Sequence, residues 1–159
     1  MADRTLVTGG CGFVGANLVR RLVGDGKTVR VIDNLRTGNK DYLSGLDVEI
    51  VEADIRSADQ LDRSMRSVDA VVHLAAAGSV VDSVTDPHDN FEANVMGTFA
   101  VLDAARKADV RQLVFSSTGG ALIGDATPPV NERSLPKPIS PYGASKLAAE
   151  AYCHAFAKS

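Results

Sequence analysis

Tyr142 and Lys146 stand four residues apart in the string Tyr142-Gly143-Ala144-Ser145-Lys146. On a helix that spacing puts both side chains on one face. A neighbouring ammonium favours phenolate over phenol, which makes a general base for a substrate hydroxyl near neutral pH. Taken alone, the pair also describes an exposed tyrosine and a solvated lysine at a helix start. Ser116-Ser117-Thr118 supplies hydroxyls after an apolar run. The carboxyl end of a strand is where open α/β sheets bind ligands, although a polar strand end entering a turn reads the same way.

A third constellation is Gly9-Gly10-Cys11-Gly12-Phe13-Val14-Gly15, with Gly9, Gly12 and Gly15 spaced by three. Gly9 allows a tight turn, Gly12 removes a Cβ where backbone would meet a pyrophosphate, and Gly15 lets a helix approach a sheet. Free N–H groups at the helix start then face the phosphates. Asp33 ends the next apolar run, 18 residues after Gly15, where a ribose-binding acid belongs. Together these favour a dinucleotide site over a plain turn with an incidental acid. A carboxylate accepts hydrogen bonds from the ribose hydroxyls and repels a 2′-phosphate, so NAD is favoured over NADP. Arg36 argues the other way but lies beyond the strand end. Cys11 has no base beside it and reads as a loop filler rather than a nucleophile.

These residues need elements to hold them. Thr5–Thr8 reads as a strand leading into the glycines. Val14, Leu18 and Leu22, flanked by Val19 and Val23, give a helix stripe that Gly24-Asp25-Gly26 stops. Further strands are expected at Val29–Asp33, Val48–Glu52, Ala70–Leu74 and Gln112–Ser116. The fourth is continuously apolar and so expected to be buried on both faces. Pro87 opens a long helix through Phe91, Val95, Phe99 and Leu102 to about Asp109. A last helix runs from about Tyr142 to the end, with Leu147, Ala151 and Ala155 on one face. Five of the six prolines fall between the fifth strand and this helix, in a long aperiodic loop of the kind that is usually functional or disordered. Alternating strands and helices predict an α/β, doubly wound parallel sheet of Rossmann type over residues 1–159.

With 159 residues, one domain is expected. The net charge of −3 makes phosphate-backbone binding a poor default. Ordinary hydrophobic and charged fractions exclude a disordered or collagen-like chain. Cys11 and Cys153 have no metal-ligand or scaffold spacing, which favours a reducing compartment. His73 reads as a core residue at a strand end, His88 and His154 as partly exposed helix residues, and no metal site is expected. No apolar run is long enough to span a bilayer, and the start Met1-Ala2-Asp3-Arg4 has no leader layout. A cytoplasmic protein without membrane or nucleic-acid partners is expected.

The ordered set Thr8-Gly9-x-x-Gly12-Phe13-x-Gly15, Asp33-Asn34-Leu35, Asp54-Ile55, His73-Leu74-Ala75-Ala76, Asn94-x-x-Gly97-Thr98, Phe115-Ser116-Ser117-Thr118 and Tyr142-x-x-x-Lys146 resembles the extended short-chain dehydrogenase/reductases. Within them it resembles the NAD-dependent nucleotide-sugar epimerase/dehydratase family, in order and spacing over essentially the whole chain. The resemblance implies that Gly9, Gly12, Phe13 and Val14 line the pyrophosphate and that Asp33 and Asn34 hold the adenosine ribose. It implies that Asp54 and Ile55 meet the adenine, that Leu74, Ala75, Ala76 and Ser116 lie along the cofactor, and that Asn94 braces the strand ends. It makes Tyr142 the base, Lys146 the ligand of the nicotinamide ribose and Thr118 the partner of the reacting hydroxyl. The implied reaction is 4-epimerisation of a UDP-glucose-type sugar nucleotide by transient oxidation at C4, in a homodimer formed through helices over about 88–107 and 142–158. Ala104, Ala105, Ala148, Ala149, Ala151 and Ala155 would permit close helix approach there.

Departures refine the expectation. Dehydratases of the family carry an acidic pair after the catalytic Thr; here Gly119-Gly120 follows Thr118, which favours an epimerase. Leu122-Ile123-Gly124 replaces the usual Val-Tyr-Gly, and Gly78 stands where epimerases often carry Lys or Gln. Family members are about twice as long, so the chain reads as the cofactor-binding half without the substrate domain. The alternatives are a non-catalytic NAD-binding module, or a dehydratase, decarboxylase or reductase of the same family.

Overall fold

Leu6 and Val7 are adjacent in sequence and both fully buried, yet they belong to different cores. They lie in β1 (Arg4–Thr8), where successive side chains point to opposite faces. The computed structural model describes residues 4–158; the Met1–Asp3 start and Ser159 lie outside the described residues. β2 (Thr28–Asp33), β3 (Glu49–Glu52), β4 (Ala70–His73) and β5 (Gln112–Phe115) complete a sheet of order β3-β2-β1-β4-β5. Every pairing is parallel; Val7 stands opposite Val31 on one side and Val72 on the other. The fold is Rossmann-like α/β, as the alternation of strands and helices predicts.

The helices are α1 (Phe13–Gly24), α2 (Ala58–Ser64), α3 (Val80–Thr85), α4 (Pro87–Phe91), α5 (Gly97–Lys107), α6 (Gly120–Ile123) and α7 (Pro141–Phe156). A 3-10 turn spans Lys40–Leu43, and a π turn spans Glu92–Met96 between α4 and α5. None is long and apolar enough to cross a membrane.

The chain divides into two compact units, residues 1–75 with 100–116, and residues 76–99 with 117–159. The first holds the sheet. Leu6, Ile32 and Val71 pack with Ile55, Leu61 and Met65 and with Val101, Ala104 and Ala105 on one face. Val7, Val29 and Val31 pack with Cys11, Ala16, Val19 and Leu43 on the other. The second unit is helical, with α7 packed against α3, α4, α6 and the π turn.

Five expectations change. Leu18, Leu22 and Val23 of the expected α1 stripe pack against the core beside the buried Gly15, Ala16 and Val19, but Val14 is 61 % exposed; Val14 sits in the first turn, where Gly15 makes the close contact instead. β4 is not buried on both faces: Val71 and His73 are buried, Ala70 and Val72 only half so, and the adjoining Val114 of β5 is 50 % exposed. α7 buries Gly143, Ser145, Lys146 and Ala149, whereas Ala151 and Ala155 face solvent. Ala104, Ala105 and Ala149 are spent on the chain's own packing, which removes them as a helix–helix seam between subunits. The proline-rich segment also contains α6, which the sequence periodicity did not mark.

Candidate functional site

In the first unit the glycine loop is tightly fitted. Gly9 has φ +70°, and a Cβ there would lie 2.8 Å from the Ala75 amide nitrogen; at Gly15 it would lie 2.3 Å from the Gly9 carbonyl oxygen. Both glycines are demanded by the chain's own backbone. Gly12 differs: its Cβ would meet Gly9 O at 3.3 Å and nothing nearer among the described residues. Gly12 is also the N-cap of α1 and offers no side chain to the first-turn amides. Phe13 and Val14 beside it are 82 % and 61 % exposed. An uncapped helix start behind a bare loop suits a pyrophosphate, so these residues fit a dinucleotide.

Asp33 is buried at the end of β2 and organises this loop. One carboxylate oxygen accepts the Cys11 N–H at 2.9 Å and the other the Leu35 N–H at 2.8 Å. The second bond holds Leu35 at φ +59°, a left-handed conformation unfavourable for a leucine. Asn34 donates to Asp54 at 3.0 Å, and Arg56 pairs with the same carboxylate at 2.9 Å. The Arg56 guanidinium holds the Asp54 carboxyl down at about 2, with Asn34 assisting against partial burial. Ile55 places its side chain in the core, leaving its backbone for any ligand. The Cys11 thiol is fully buried and pushed up to about 11, first by burial and then by Asp33, so it stays protonated and unreactive.

His73 is the core residue that its place at a strand end predicts. It is 1 % exposed and lies 2.6 Å from Thr8 Oγ1 through Nδ1. Thr8 Oγ1 already accepts the N–H groups of Leu74 and Ala75 at 3.2 and 3.1 Å. The Thr8 hydroxyl and the His73 ring share one hydrogen bond, whose direction follows the imidazole tautomer. This joins the ends of β1 and β4 and fixes the Leu74–Ala75 backbone against Gly9. Ser116 is exposed just past β5, its N–H donating to His73 O at 3.1 Å.

The residues with expected catalytic roles belong to the second unit. Tyr142 is half-buried and Lys146 only 4 % exposed, with Lys146 Nζ 6.0 Å from the Tyr142 ring centroid. Burial lowers the Lys146 ammonium to about 8, opposed by Cys153. Gly143 separates the pair for a steric reason: a Cβ there would lie 2.1 Å from the Ala121 carbonyl oxygen. Ala121 sits in α6, which Thr118-Gly119 leads into, so that contact sets α6 against the Tyr142 turn. Thr118 is half-buried. Asn94, in the π turn and 2 % exposed, accepts from the Ala77 N–H at 2.7 Å and donates to Ala77 O at 3.1 Å and to Ser145 Oγ at 3.0 Å. Ser145 passes its hydrogen to Tyr142 O at 2.8 Å. The alternation of residue types carried no signal for these serine links. Ala76 and Gly78 are exposed, and among the described residues no three metal-ligating side chains converge.

Comparison with known proteins adds to the geometry. A family model described as "NAD dependent epimerase/dehydratase family" matches residues 5–159. A protein of Methanocaldococcus jannaschii named "Putative UDP-glucose 4-epimerase" is 41 % identical over 149 residues, covering 92 % of this chain and 48 % of its own length. The crystal structure of a UDP-glucose 4-epimerase with UDP-glucose from Thermotoga maritima superposes with a TM-score of 0.94 at 37 % identity, covering 98 % of this chain and 52 % of that one. That of the Thermus thermophilus UDP-glucose 4-epimerase in complex with NAD gives 0.93 at 40 % identity, covering 98 % and 51 %. The chain thus spans about half the length of the relatives it matches.

Proposed function

The chain belongs to the NAD dependent epimerase/dehydratase family, and on that premise we propose that it is the cofactor-binding portion of a nucleotide-sugar 4-epimerase of the UDP-glucose type. The observation that carries the reading is the buried Lys146 on one helix face with Tyr142, four residues apart behind a glycine that lets α6 approach. Bound NAD supplies acceptance and return of a hydride at sugar C4. Gly9, Gly12, Phe13 and Val14 hold its pyrophosphate, and Asp33 and Asn34 its adenosine ribose. Asp54 and the Ile55 backbone meet the adenine, and Leu74, Ala75, Ala76 and Ser116 border the cofactor. Tyr142 removes the proton of the C4 hydroxyl and later returns it. Lys146 grips the nicotinamide ribose through an ammonium still protonated at neutral pH, its pKa about 8. Thr118 hydrogen-bonds the reacting oxygen, and Asn94 braces the Ala77 backbone. Gly119-Gly120 after Thr118 provides no acid for elimination, which favours epimerase over dehydratase.

Incubation with NAD and UDP-glucose tests the reading. The absorbance of reduced cofactor should grow in with the parent chain and be lost in Tyr142→Phe. Equal signals from both would overturn the assignment of Tyr142. NAD binding with no signal from either, even when the remaining length of a relative is supplied in trans, would favour a non-catalytic NAD-binding module. We also place the protein in the cytoplasm, on the strength of its two unpaired cysteines. A homodimer through the helices over 88–107 and 142–158 draws support from Phe91, Phe99 and Tyr152, which are 51 %, 39 % and 41 % exposed.

A further inference from the structure

Ser83 lies in α3, belongs to no motif that the sequence singles out, and is only 1 % exposed. Its hydroxyl has one hydrogen, and that hydrogen goes to Val80 O at 2.6 Å. The oxygen is then left as an acceptor, and it accepts the N–H of Tyr142 at 3.1 Å, from 59 residues away in sequence. The first amides of a helix have no partner within the helix. At the start of α7 they are divided between two serines. Pro141 has no N–H to satisfy, Ser140 Oγ accepts the Gly143 N–H at 3.1 Å as the local N-cap, and Tyr142 is left to Ser83. The carbonyl of Tyr142 is held as well, by the Ser145 hydroxyl that Asn94 orients. Both peptide groups flanking Tyr142 are therefore clamped, one by α3 and one by the π turn.

We infer that Ser83 is a positioning residue for Tyr142: it caps the Tyr142 amide from outside α7 and so holds the phenol over Lys146. Its meaning for catalysis rests on the function proposed above, but the contact does not. Without the hydroxyl the Tyr142 N–H loses its acceptor, and the first turn of α7 gains freedom to fray. Tyr142 lies in that turn and Lys146 one turn further in, so fraying separates the two side chains while the rest of α7 stays in place. A threonine keeps the hydroxyl.

Amide hydrogen exchange and ring-to-methylene nuclear Overhauser effects on the full chain provide the test. In the parent protein the Tyr142 amide should be protected, and its ring should show cross-peaks to the Lys146 side chain. Ser83→Ala should speed Tyr142 exchange at least tenfold, leave Ala149 exchange unchanged and weaken the cross-peaks. Ser83→Thr should restore both. An unprotected Tyr142 amide in the parent protein would overturn the assignment even if Ser83→Ala does not fold. Unchanged Tyr142 exchange and cross-peaks in a folded Ser83→Ala would overturn it as well. Cofactor reduction by UDP-glucose is the separate readout: a tenfold slower rate at unchanged half-saturation in Ser83→Ala, recovered in Ser83→Thr, supports the positioning role. If the exchange pattern holds while the parent chain never reduces NAD, even with the remaining length of a relative supplied in trans, Ser83 positions Tyr142 and the epimerase reading falls.

Discussion

Burying an ammonium costs free energy, and Lys146 is 4 % exposed with its pKa lowered from 10.5 to about 8. Between those values the unfolded chain still holds the proton that the folded chain has lost, so stability rises with pH across that window. Below about 8 the folded state carries the full penalty, about 3–4 kcal/mol as an upper bound at ~1.4 kcal/mol per pKa unit. Replacing Lys146 by Met should therefore stabilise the chain near neutral pH. The gain should shrink above about pH 8 and disappear near 10.5, as urea melts at several pH values would show. A gain that does not change with pH would mean that packing, not charge, sets the cost. Asp33 poses the opposite case. Each of its oxygens serves one loop N–H, and an asparagine can accept with only one atom. Asp33→Asn should cost about 1–3 kcal/mol even without cofactor, measured as a lower melting temperature, and should narrow the preference for NAD over NADP in calorimetry.

At the scale of elements, the approach of α6 to α7 depends on a missing methyl. A Cβ on Gly143 would meet the Ala121 carbonyl at 2.1 Å and Pro138 Cβ at 3.0 Å, and backbone cannot rotate aside as a long side chain can. Gly143→Ala should displace α6 at a cost of about 1–3 kcal/mol. Because Thr118 leads into α6, cofactor reduction should fall by more than the loss of folded protein accounts for. Comparing rate per folded molecule with the melting curve separates the two effects. The strands show the same dependence on cover. Val71 is fully buried under α2 and α5, while Val114 on the neighbouring strand is half exposed. Val71→Ala should cost about 2 kcal/mol and Val114→Ala less than about 0.5 kcal/mol, by chemical denaturation. Similar costs would mean that the open face of β5 is covered in solution.

For the molecule as a whole, NAD binding to the folded state should raise its stability by mass action, about 2.7 kcal/mol at a hundredfold excess over Kd. Since the chain spans about half the length of its relatives, the 159-residue polypeptide should bind NAD yet turn UDP-glucose over far below the usual 1–10³ per second. Holding a sugar within reach of both base and cofactor contributes ~7–11 kcal/mol to lowering a barrier, and the chain covers 48 % of the length of its Methanocaldococcus jannaschii relative. Steady-state assay of the chain alone, then with the remaining length of a relative, checks this.

The period-two and helical patterns determined the five strands, their order of appearance and the parallel α/β class, because local geometry maps directly onto side-chain alternation. The glycine spacing, Asp33 and the Tyr142–Lys146 interval were equally legible, since each rests on residues close together in the chain. What escaped the sequence depends on which surfaces meet. Alanines at 151 and 155 look apolar in any alignment of helix faces, yet α7 buries Lys146 and Ser145 instead, because the face that packs is chosen by α3, α4 and the π turn. Ser83 on the Tyr142 amide, Thr8 on His73 and Ala121 on Gly143 are contacts between segments 22 to 65 residues apart. A hydroxyl or a missing methyl carries no mark in the sequence of the partner it will meet; only the packed chain decides that.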